Sequence, residues 1–271
     1  MIKVSIIGLG WLGLPLAQSL LAQGYAVKGT ATSPEKVDAL RREGLDTYWL
    51  KFSPHPEGLD FQSVFDADIL VVNIPPRTRT LPATFHPEQV KFIKAMAAQR
   101  GVKKLIYTSA TSVYPDLNQE AKESDPLDMQ NTGNPGLLQA EQLLWLDRSY
   151  ALTIIRFGGL MGGERIPGKY FASKADVVGD TPVNFIHQAD AVGVVEWVIR
   201  QQLWDEVYNA VSPMHPQRKS IYEKNAVDYG FTLPLSYAPE GATPYKVISP
   251  DKLLDTGYQF RYADPLDYVY G

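Results

Sequence analysis

The chain has 271 residues and a mildly acidic balance, with 26 Lys+Arg against 30 Asp+Glu and a formal net charge of −4. This balance lacks the basic stripe that binding to a phosphate backbone requires, which argues against nucleic acid as a partner. The absence of cysteine excludes disulfides, thiolate metal sites and a cysteine nucleophile, and the four histidines are too far apart for a HExxH zinc site, so no metal is expected.

The first 23 residues are apolar, but three glycines interrupt the run. A signal peptide or a membrane span needs a continuous apolar segment, and only Lys3 supplies positive charge here. The sequence therefore predicts a cytoplasmic protein that does not associate with membranes.

Short β-branched runs alternate with segments of helical period over the first 210 residues, which is typical of βαβ units around a parallel sheet. The predicted strands are 4–7, 26–29, 47–52, 69–73, 104–108, 153–157 and 207–210. The predicted helices are 12–23, 34–42, 87–99, 137–147 and 191–202. Ser33 followed by Pro34 marks the start of the second helix, because serine caps free amides and proline lacks an N–H that would have no partner there. The predicted fold class is α/β, a Rossmann-type doubly wound parallel sheet.

The segment after Pro213 is richer in proline and tyrosine and breaks the alternation. We therefore assign residues 1–163, completed by residues 183–212, to a Rossmann dinucleotide-binding domain. Residues 164–182 and 213–271 are assigned to a small C-terminal substrate-binding lobe.

Residues 8–13 read GLGWLG, directly after the first predicted strand and directly before the first predicted helix. In a dinucleotide-binding turn the first glycine permits a tight turn, the second lets the backbone approach a pyrophosphate, and the third lets the helix pack close on the strand. The helix N-terminus then offers free N–H groups to the anion. The predicted cofactor-binding residues, at this turn and at the ends of the second and fourth strands, are Gly8, Gly10, Trp11, Leu12, Gly13, Thr30, Thr32, Ser33, Asn73, Ile74 and Pro75.

The choice between NAD and NADP depends on the end of the second predicted strand. NAD sites usually carry an Asp or Glu there, which hydrogen-bonds the ribose and repels a 2′-phosphate. Residues 28–33 contain no acid, and Thr30, Thr32 and Ser33 offer hydroxyl groups instead, with Lys36 close by. The predicted cofactor is NAD(P), with NADP slightly favoured, although the window contains no arginine.

Residues 8–17 and 68–75 are similar to the opening of the β-hydroxyacid dehydrogenases. Downstream segments instead resemble successive motifs of the extended short-chain dehydrogenase/reductases, the NAD-dependent epimerase/dehydratase superfamily; they are residues 107–114, 155–162, 184–190, 207–209 and 247–254. Their order and spacing cover nearly the whole chain. Within the superfamily, the glycine turn and the TSATSVY run resemble the bacterial YeeZ-like proteins. A β-hydroxyacid dehydrogenase would require a long helical C-terminal domain with a catalytic lysine, which the Pro/Tyr-rich tail does not predict.

The resemblance also implies a catalytic pattern that this sequence lacks. The superfamily uses a Ser/Thr, an acid/base Tyr, and a Lys four residues after the Tyr that lowers its pKa and binds the ribose. Its motifs place Ala110, Gly133 and Leu137 at these three positions. None of these residues can act as a general base, so either another group transfers the proton or no proton is transferred.

Several residues are candidate substitutes, each with an alternative structural role. Ser109, Thr111 and Ser112 border the expected hydroxyl position, and Thr111 can orient a substrate carbonyl, but such side chains also satisfy backbone groups at strand ends. Tyr114 can act as an acid or pack beside the pocket. His187 can shuttle protons near neutral pH, but we interpret it as structural, because the matching superfamily segment shapes a turn, with Asp190 capping the helix from Ala191.

Three arginines are predicted at the ligand edge of the sheet. Arg77 and Arg79 follow the fourth predicted strand, and Arg165 follows the sixth. A guanidinium there can grip a carboxylate or a phosphate, which predicts a small polar or anionic substrate; for Arg77, the cofactor's own phosphates are the alternative partner. The resemblance also admits a homodimer.

Two functions remain open at this point. One is an NAD(P)-dependent oxidoreductase or epimerase with a degenerate triad, acting on a small or nucleotide-linked substrate. The other is a non-catalytic NAD(P)-binding sensor of cofactor or redox state.

Overall fold

The computed structural model describes residues 1–77 and 80–271. Its strands are β1 (Lys3–Ile7), β2 (Ala26–Ala31), β3 (Asp46–Phe52), β4 (Pro56–Leu59), β5 (Ile69–Val72), β6 (Lys104–Ala110), β7 (Gln119–Ala121), β8 (Ala151–Phe157), β9 (Gly159–Met161), β10 (Phe185–His187), β11 (Glu206–Ala210) and β12 (Lys246–Ile248). Its helices are α1 (Gly13–Ala22), α2 (Pro34–Arg42), α3 (Phe85–Gln99), α4 (Pro135–Trp145), α5 (Pro167–Phe171), α6 (Gln188–Gln201), α7 (Arg218–Tyr229) and α8 (Asp251–Leu254).

All seven predicted strands and all five predicted helices are present, with bounds that differ by a few residues. Helix α2 begins as its sequence predicts, because the Ser33 hydroxyl accepts a hydrogen bond from the Lys36 N–H at 3.3 Å and Pro34 is the first helical residue. Strand β5 is buried along its whole length, which explains why it reads as a continuous apolar run.

Eight strands form the main sheet in the order β11-β8-β6-β5-β1-β2-β3-β4. Strand β1 pairs in parallel with both β2 and β5, and the chain order reverses there. In open α/β sheets such a reversal creates a crevice at the carboxyl ends of the strands, where ligands bind. The Rossmann-type α/β fold class is confirmed.

Strand β4 was not predicted. It is antiparallel to β3, with Phe52 opposite Pro56 and Trp49 opposite Leu59. Proline and glycine are poor strand formers, which hides the strand in the sequence. Gly58 is required by close packing, since a Cβ there would lie 2.1 Å from the Trp49 carbonyl oxygen.

The chain contacts divide the molecule into two compact units. Unit 1 comprises Met1–Val113, Leu127–Ile155 and Val195–Val207, and unit 2 comprises Tyr114–Pro126, Arg156–Val194 and Tyr208–Gly271. Both segments of the predicted lobe fall in unit 2, together with other segments. The predicted domain bounds and a substrate role for the lobe stay predictions.

Unit 2 has a core of its own, rich in aromatic residues. Its buried members are Val177, Val183, Phe185, Ile221, Tyr222, Tyr268 and Tyr270. Two small parallel sheets, β9 with β10 and β7 with β12, belong to this unit. The tyrosines that set the C-terminal segment apart in composition therefore build this core.

No helix in the described part of the chain is long and apolar enough to cross a membrane.

Candidate functional site

The glycine turn between β1 and α1 is fixed by Thr30 at the end of β2 and by Asn73 directly after β5. The Gly8 N–H donates to the Thr30 hydroxyl oxygen at 3.0 Å, and the Leu9 N–H donates to the Thr30 carbonyl at 2.8 Å. The Asn73 side-chain amide donates to the Gly8 carbonyl at 3.0 Å. The turn is thus held from both neighbouring strands at the point where the strand order reverses.

The three glycines meet three different steric demands. Gly8 has φ +105°, and a Cβ there would lie 2.3 Å from the Asn73 carbonyl oxygen. A Cβ on Gly13 would lie 2.1 Å from the Gly8 carbonyl oxygen. A Cβ on Gly10 would meet nothing within 4 Å. Packing within the protein therefore requires Gly8 and Gly13, whereas Gly10 borders open space that a pyrophosphate can approach.

The N-terminus of α1 is suited to an anion. Leu12 is its N-cap and has no polar side chain for capping, and the first turn contains no acidic residue. Pro15 lies in that turn and supplies no N–H, while the Leu14 and Leu16 N–H groups on either side donate to the Gly10 and Leu12 carbonyls. The helix end, with its partial positive charge, closely follows Gly10, whose Cβ position borders open space.

A cavity of about 460 Å³ extends from the turn along the carboxyl ends of the strands in unit 1. Its lining residues are Ile7, Gly8, Thr30, Thr32, Leu50, Lys51, Phe52, Ser53, Ile74, Pro75, Arg77, Leu81, Phe85 and Gln89. The size and the mixed apolar and polar lining are typical of a small-ligand site. Five of the predicted cofactor-binding residues therefore lie on one cavity wall.

Thr30, Thr32 and Ser33 do not share one environment. Thr30 is 2% exposed and its hydroxyl already accepts the Gly8 N–H, so it supports the turn. Thr32 is exposed and lines the cavity. Ser33 caps α2 and is absent from the cavity lining given above. Sequence reasoning treated the three hydroxyls as equivalent phosphate donors; the structure gives Thr30 and Ser33 a positioning role.

A buried hydrogen-bond network behind the cavity was not found from sequence. Gln89 Nε2 donates to the Phe52 carbonyl at 3.1 Å, so its Oε1 accepts from His86 Nδ1 at 3.1 Å. The Tyr107 hydroxyl then donates to His86 Nε2 at 2.6 Å. Burial lowers the pKa of His86 to about 4, which keeps the ring neutral, as this tautomer requires. The i, i+3 spacing of His86 and Gln89 on α3 was the available sequence pattern.

The three positions at which the resemblance implies the superfamily triad carry no proton-transfer group. Ala110 ends β6, Gly133 precedes α4, and Leu137 is 1% exposed in the first turn of α4. The Gly133 N–H donates to the Val113 carbonyl. A buried leucine at the expected lysine position leaves no cation there to lower the pKa of a neighbouring phenol.

The three hydroxyl residues beside Ala110 differ in accessibility. Ser109 is 5% exposed and donates to Glu141 Oε1 at 2.5 Å. Thr111 is also buried. Ser112 is exposed, and its oxygen accepts from Asn134 Nδ2 at 3.2 Å. Of the three residues that the sequence grouped together, only Ser112 is therefore accessible.

Tyr114 belongs to unit 2 and is 1% exposed. Its hydroxyl donates to Asn209 Oδ1 at 2.9 Å and accepts from Arg156 Nη1 at 2.7 Å. Burial raises the pKa of Tyr114, although the nearby Arg156 opposes the rise. This environment fits the packing role that was the alternative to acid catalysis.

His187 and Asp190 are also engaged within unit 2. His187 Nδ1 accepts from the Ala189 N–H, and its Nε2 lies 3.1 Å from the Val269 carbonyl. The prediction that Asp190 caps the following helix is wrong, because α6 already begins at Gln188. The Asp190 carboxylate instead accepts the N–H groups of residues 261 and 262, because burial of a charged group favours such backbone donors.

The three candidate arginines lie in different parts of the chain. Arg77 lines the cavity, has φ +49°, and accepts the Thr80 and Leu81 N–H groups through its carbonyl. Arg79 lies outside the described residues. Arg165 is in unit 2, in a turn closed by its backbone hydrogen bonds to Gly162. A common anion site for them stays a prediction.

The part of the chain that contains the glycine turn is similar to a known NAD-binding domain. Residues 3–122 match the family model of the NAD-binding domain of 6-phosphogluconate dehydrogenase. Protein YeeZ of Escherichia coli K12 is 32% identical to the chain over 267 residues, which cover 97% of each protein. The chain belongs to the YeeZ family.

Two solved structures of other proteins share the fold along almost the whole chain. The UDP-Glc/GlcNAc 4-epimerase of Campylobacter jejuni gives a TM-score of 0.78 at 16% identity, covering 98% of this chain and 96% of the epimerase. A short-chain dehydrogenase/reductase superfamily protein of Agrobacterium tumefaciens with bound NAD gives 0.74 at 14% identity, covering 97% and 94%. These structures confirm the predicted Rossmann-type fold, and the family match over residues 3–122 supports a nicotinamide dinucleotide as the cofactor.

The β-hydroxyacid dehydrogenase alternative is not supported by the second half of the chain. Residues 213–271 are all described, and their longest helix is α7, with 12 residues. The long helical C-terminal domain that this alternative requires is absent from them.

Proposed function

We propose that the protein is an NAD(P)-dependent oxidoreductase of this superfamily, with NADP(H) preferred, whose proton step does not use a tyrosine–lysine couple. The observation that carries the proposal is the dinucleotide cradle at Gly8, Gly10 and Gly13, combined with Ala110 and Leu137 at the positions where the resemblance implies catalytic residues. The nicotinamide ring supplies hydride transfer when it is bound.

The preference for NADP(H) is supported by the charge of the cavity wall. Among the described lining residues there is no Asp or Glu, whereas Lys51 and Arg77 are present. A carboxylate at the end of β2 would repel a 2′-phosphate, and Thr32 stands there instead.

Ser112 is the side chain that we propose as the hydrogen-bond donor to a substrate oxygen. The Leu137 N–H in α4 donates to Asn134 Oδ1 at 3.2 Å, and Asn134 Nδ2 donates to the Ser112 oxygen at 3.2 Å. Each hydrogen bond therefore polarises the next, from the N-terminus of α4 through the Asn134 side chain to the Ser112 hydroxyl. Since Ser112 accepts through its oxygen, its own hydrogen is available to a carbonyl oxygen.

The substrate that we propose is a small polar molecule with an anionic group. Arg165 is the candidate partner for that group, since a guanidinium binds a carboxylate or phosphate with two parallel hydrogen bonds. We also propose a cytoplasmic location and a homodimer, in line with the sequence interpretation and with the superfamily resemblance.

The test is hydride transfer itself. The protein is incubated with NADPH and a panel of small aldehydes, ketones and oxo acids, and oxidation is followed at 340 nm. We expect turnover with one class of substrate, and we expect Ser112→Ala to lower kcat by about 10²-fold while leaving the NADPH Kd unchanged. Equal kcat values for the wild type and Ser112→Ala would contradict the role of Ser112.

A non-catalytic sensor is the second candidate. The buried Leu137, which removes the cation of the superfamily couple, favours it. Tight binding of NADPH without turnover on any substrate class, together with a difference in proteolytic susceptibility between the NADP⁺ and NADPH complexes, would favour the sensor over the enzyme.

A further inference from the structure

The cavity in unit 1 has an apolar part and a cationic rim. Its apolar lining residues are Ile7, Leu50, Ile74, Leu81 and Phe85. Gly8 of the glycine turn and Thr32, directly after β2, belong to the same lining. A flat aromatic base fits such an apolar wall, and Gly8 connects the cavity to the glycine turn that a pyrophosphate can approach.

The cations of the rim come from two different elements. Lys51 is the last but one residue of β3 and is exposed; Arg77 follows β5 and is also exposed. Within residues 1–77 and 80–271, neither side chain forms a salt bridge. Glu57 stands opposite Lys51 across the β3–β4 pair, but it does not line the cavity.

Two cations at the rim of a cavity without carboxylates fit a doubly charged anion better than a neutral ribose. We propose that Lys51 and Arg77 bind the 2′-phosphate of NADP(H). This inference rests on the proposed preference for NADP(H) and assigns it to residues outside the β2–α2 turn. Arg77 supplies a planar pair of donors and Lys51 a point charge, with the hydroxyls of Thr32 and Ser53 on the same wall.

The β2–α2 turn is the competing location, and its geometry is less favourable. The Ser33 oxygen already accepts the Lys36 N–H as the cap of α2. Neither Ser33 nor Lys36 is part of the cavity lining. Lys36 is exposed like Lys51, so it serves as a matched control.

Adenosine 2′,5′-bisphosphate and 5′-AMP are suitable probes, because they differ only in the 2′-phosphate. Isothermal titration calorimetry with the full chain measures both. We expect the wild type to bind the bisphosphate at least about 10-fold more tightly than 5′-AMP. Lys51→Ala and Arg77→Ala should each reduce that ratio about 10-fold, with the 5′-AMP Kd changed less than about two-fold, since hydrogen bonds to charged groups have this magnitude. Lys36→Ala should leave the ratio unchanged.

The outcomes separate this inference from the proposed function. Suppose that the wild type prefers the bisphosphate but Lys51→Ala and Arg77→Ala keep the wild-type ratio of the two affinities. The assignment to Lys51 and Arg77 is then overturned, and the NADP(H) preference stands. The same conclusion follows if Lys36→Ala abolishes the preference for the bisphosphate. Equal losses for both probes would also overturn it, because the residues would then contact the shared nucleoside or 5′-phosphate. A wild type that does not distinguish the probes would refute the NADP(H) preference as well. Circular dichroism confirms that each variant is folded; Lys51→Gln, which keeps the length of the side chain, replaces Lys51→Ala if that variant is not.

Discussion

The hydroxyl of Ser109 lies 2.5 Å from Glu141 Oε1, and both residues are buried in unit 1, at 5% and 2% exposure. The pair joins the end of β6 to α4 and lies near Ala110 and Leu137 in the chain, where the resemblance implies a hydroxyl and a lysine. We therefore expect Ser109 to support the fold and not to contact a substrate.

Ser109→Ala should therefore destabilise the protein without weakening cofactor binding. The buried Glu141 carboxyl would lose one hydrogen-bond donor, and such a loss costs about 1–3 kcal/mol of the free energy of unfolding. Urea denaturation measures this loss, and calorimetry with NADPH measures binding. A variant with wild-type stability and lost turnover would instead make Ser109 a catalytic residue.

The glycine turn predicts opposite effects for two of its glycines. Gly10→Asp should fold with an unchanged or higher Tm, because its Cβ meets nothing within 4 Å and a carboxylate near the α1 N-terminus is favourable. It should abolish dinucleotide binding by filling the approach path and repelling the pyrophosphate. Gly13→Ala should lower the Tm, since its Cβ would lie 2.1 Å from the Gly8 carbonyl oxygen. Retained cofactor affinity in folded Gly10→Asp would contradict the site.

His86 should make the stability depend on acid pH. Burial holds its pKa near 4 in the folded protein, against 6.5 for the free side chain, so the unfolded chain binds the extra proton between these values. The contribution of neutral His86 to the free energy of unfolding is complete above pH 6.5 and is lost as the pH falls through this window. It amounts to at most about 3 kcal/mol. Burial also lowers the pKa of His187 and of His215.

The measurement is the free energy of unfolding at pH 7.5, 6.5, 5.5 and 4.5. His86→Gln removes the titrating group, so its stability should fall less steeply with decreasing pH than that of the wild type. Equal slopes for the two proteins would show that His86 titrates normally when folded.

Nucleotide sugars should be poor substrates. With Ala110, Gly133 and Leu137 in place of the triad, the positioned acid–base help is missing, which is worth about 10²–10⁴-fold in rate. UDP-glucose and dTDP-glucose epimerisation, assayed beside the Campylobacter jejuni enzyme, would measure the difference. Comparable rates would mean that the triad has been assigned to the wrong positions.

Arg165→Ala should reduce the protection that small anions give against thermal unfolding, if Arg165 binds the anionic group of the substrate. Melting curves in the presence of phosphate and oxaloacetate measure this protection. Arg77→Ala is the comparison, since removal of the Arg77 side chain should weaken NADPH binding. Unchanged anion protection in Arg165→Ala would remove the support for an anionic substrate.

Local patterns were sufficient to predict most of unit 1. The glycine turn, the Ser33–Pro34 helix start and the apolar run of β5 each depend on neighbours within a few residues, so the sequence alone indicates them. The roles of Thr30 and Asn73 depend on strands that meet only in the folded sheet. For that reason, the sequence placed both residues at the site but did not reveal that they support the turn.

Contacts between distant segments account for what the sequence did not predict. The network from Tyr107 through His86 and Gln89 to Phe52 joins three elements, and no spacing pattern connects them. The Asp190 carboxylate is used by the backbone of residues 261–262, about 70 positions away. A rule for helix caps could not anticipate that partner.

Strand β4 has a consequence for how copies of the protein behave at high concentration. An unpaired sheet edge can recruit a strand from another molecule and so begin aggregation. Here the outermost strand has only four residues, runs opposite to β3, and contains Pro56, which has no N–H to offer. Its exposed Glu57 adds charge to the same edge. This edge of the sheet is therefore a poor template for edge-to-edge association. The short strand β4, which was not predicted from the sequence, disfavours aggregation of the folded protein.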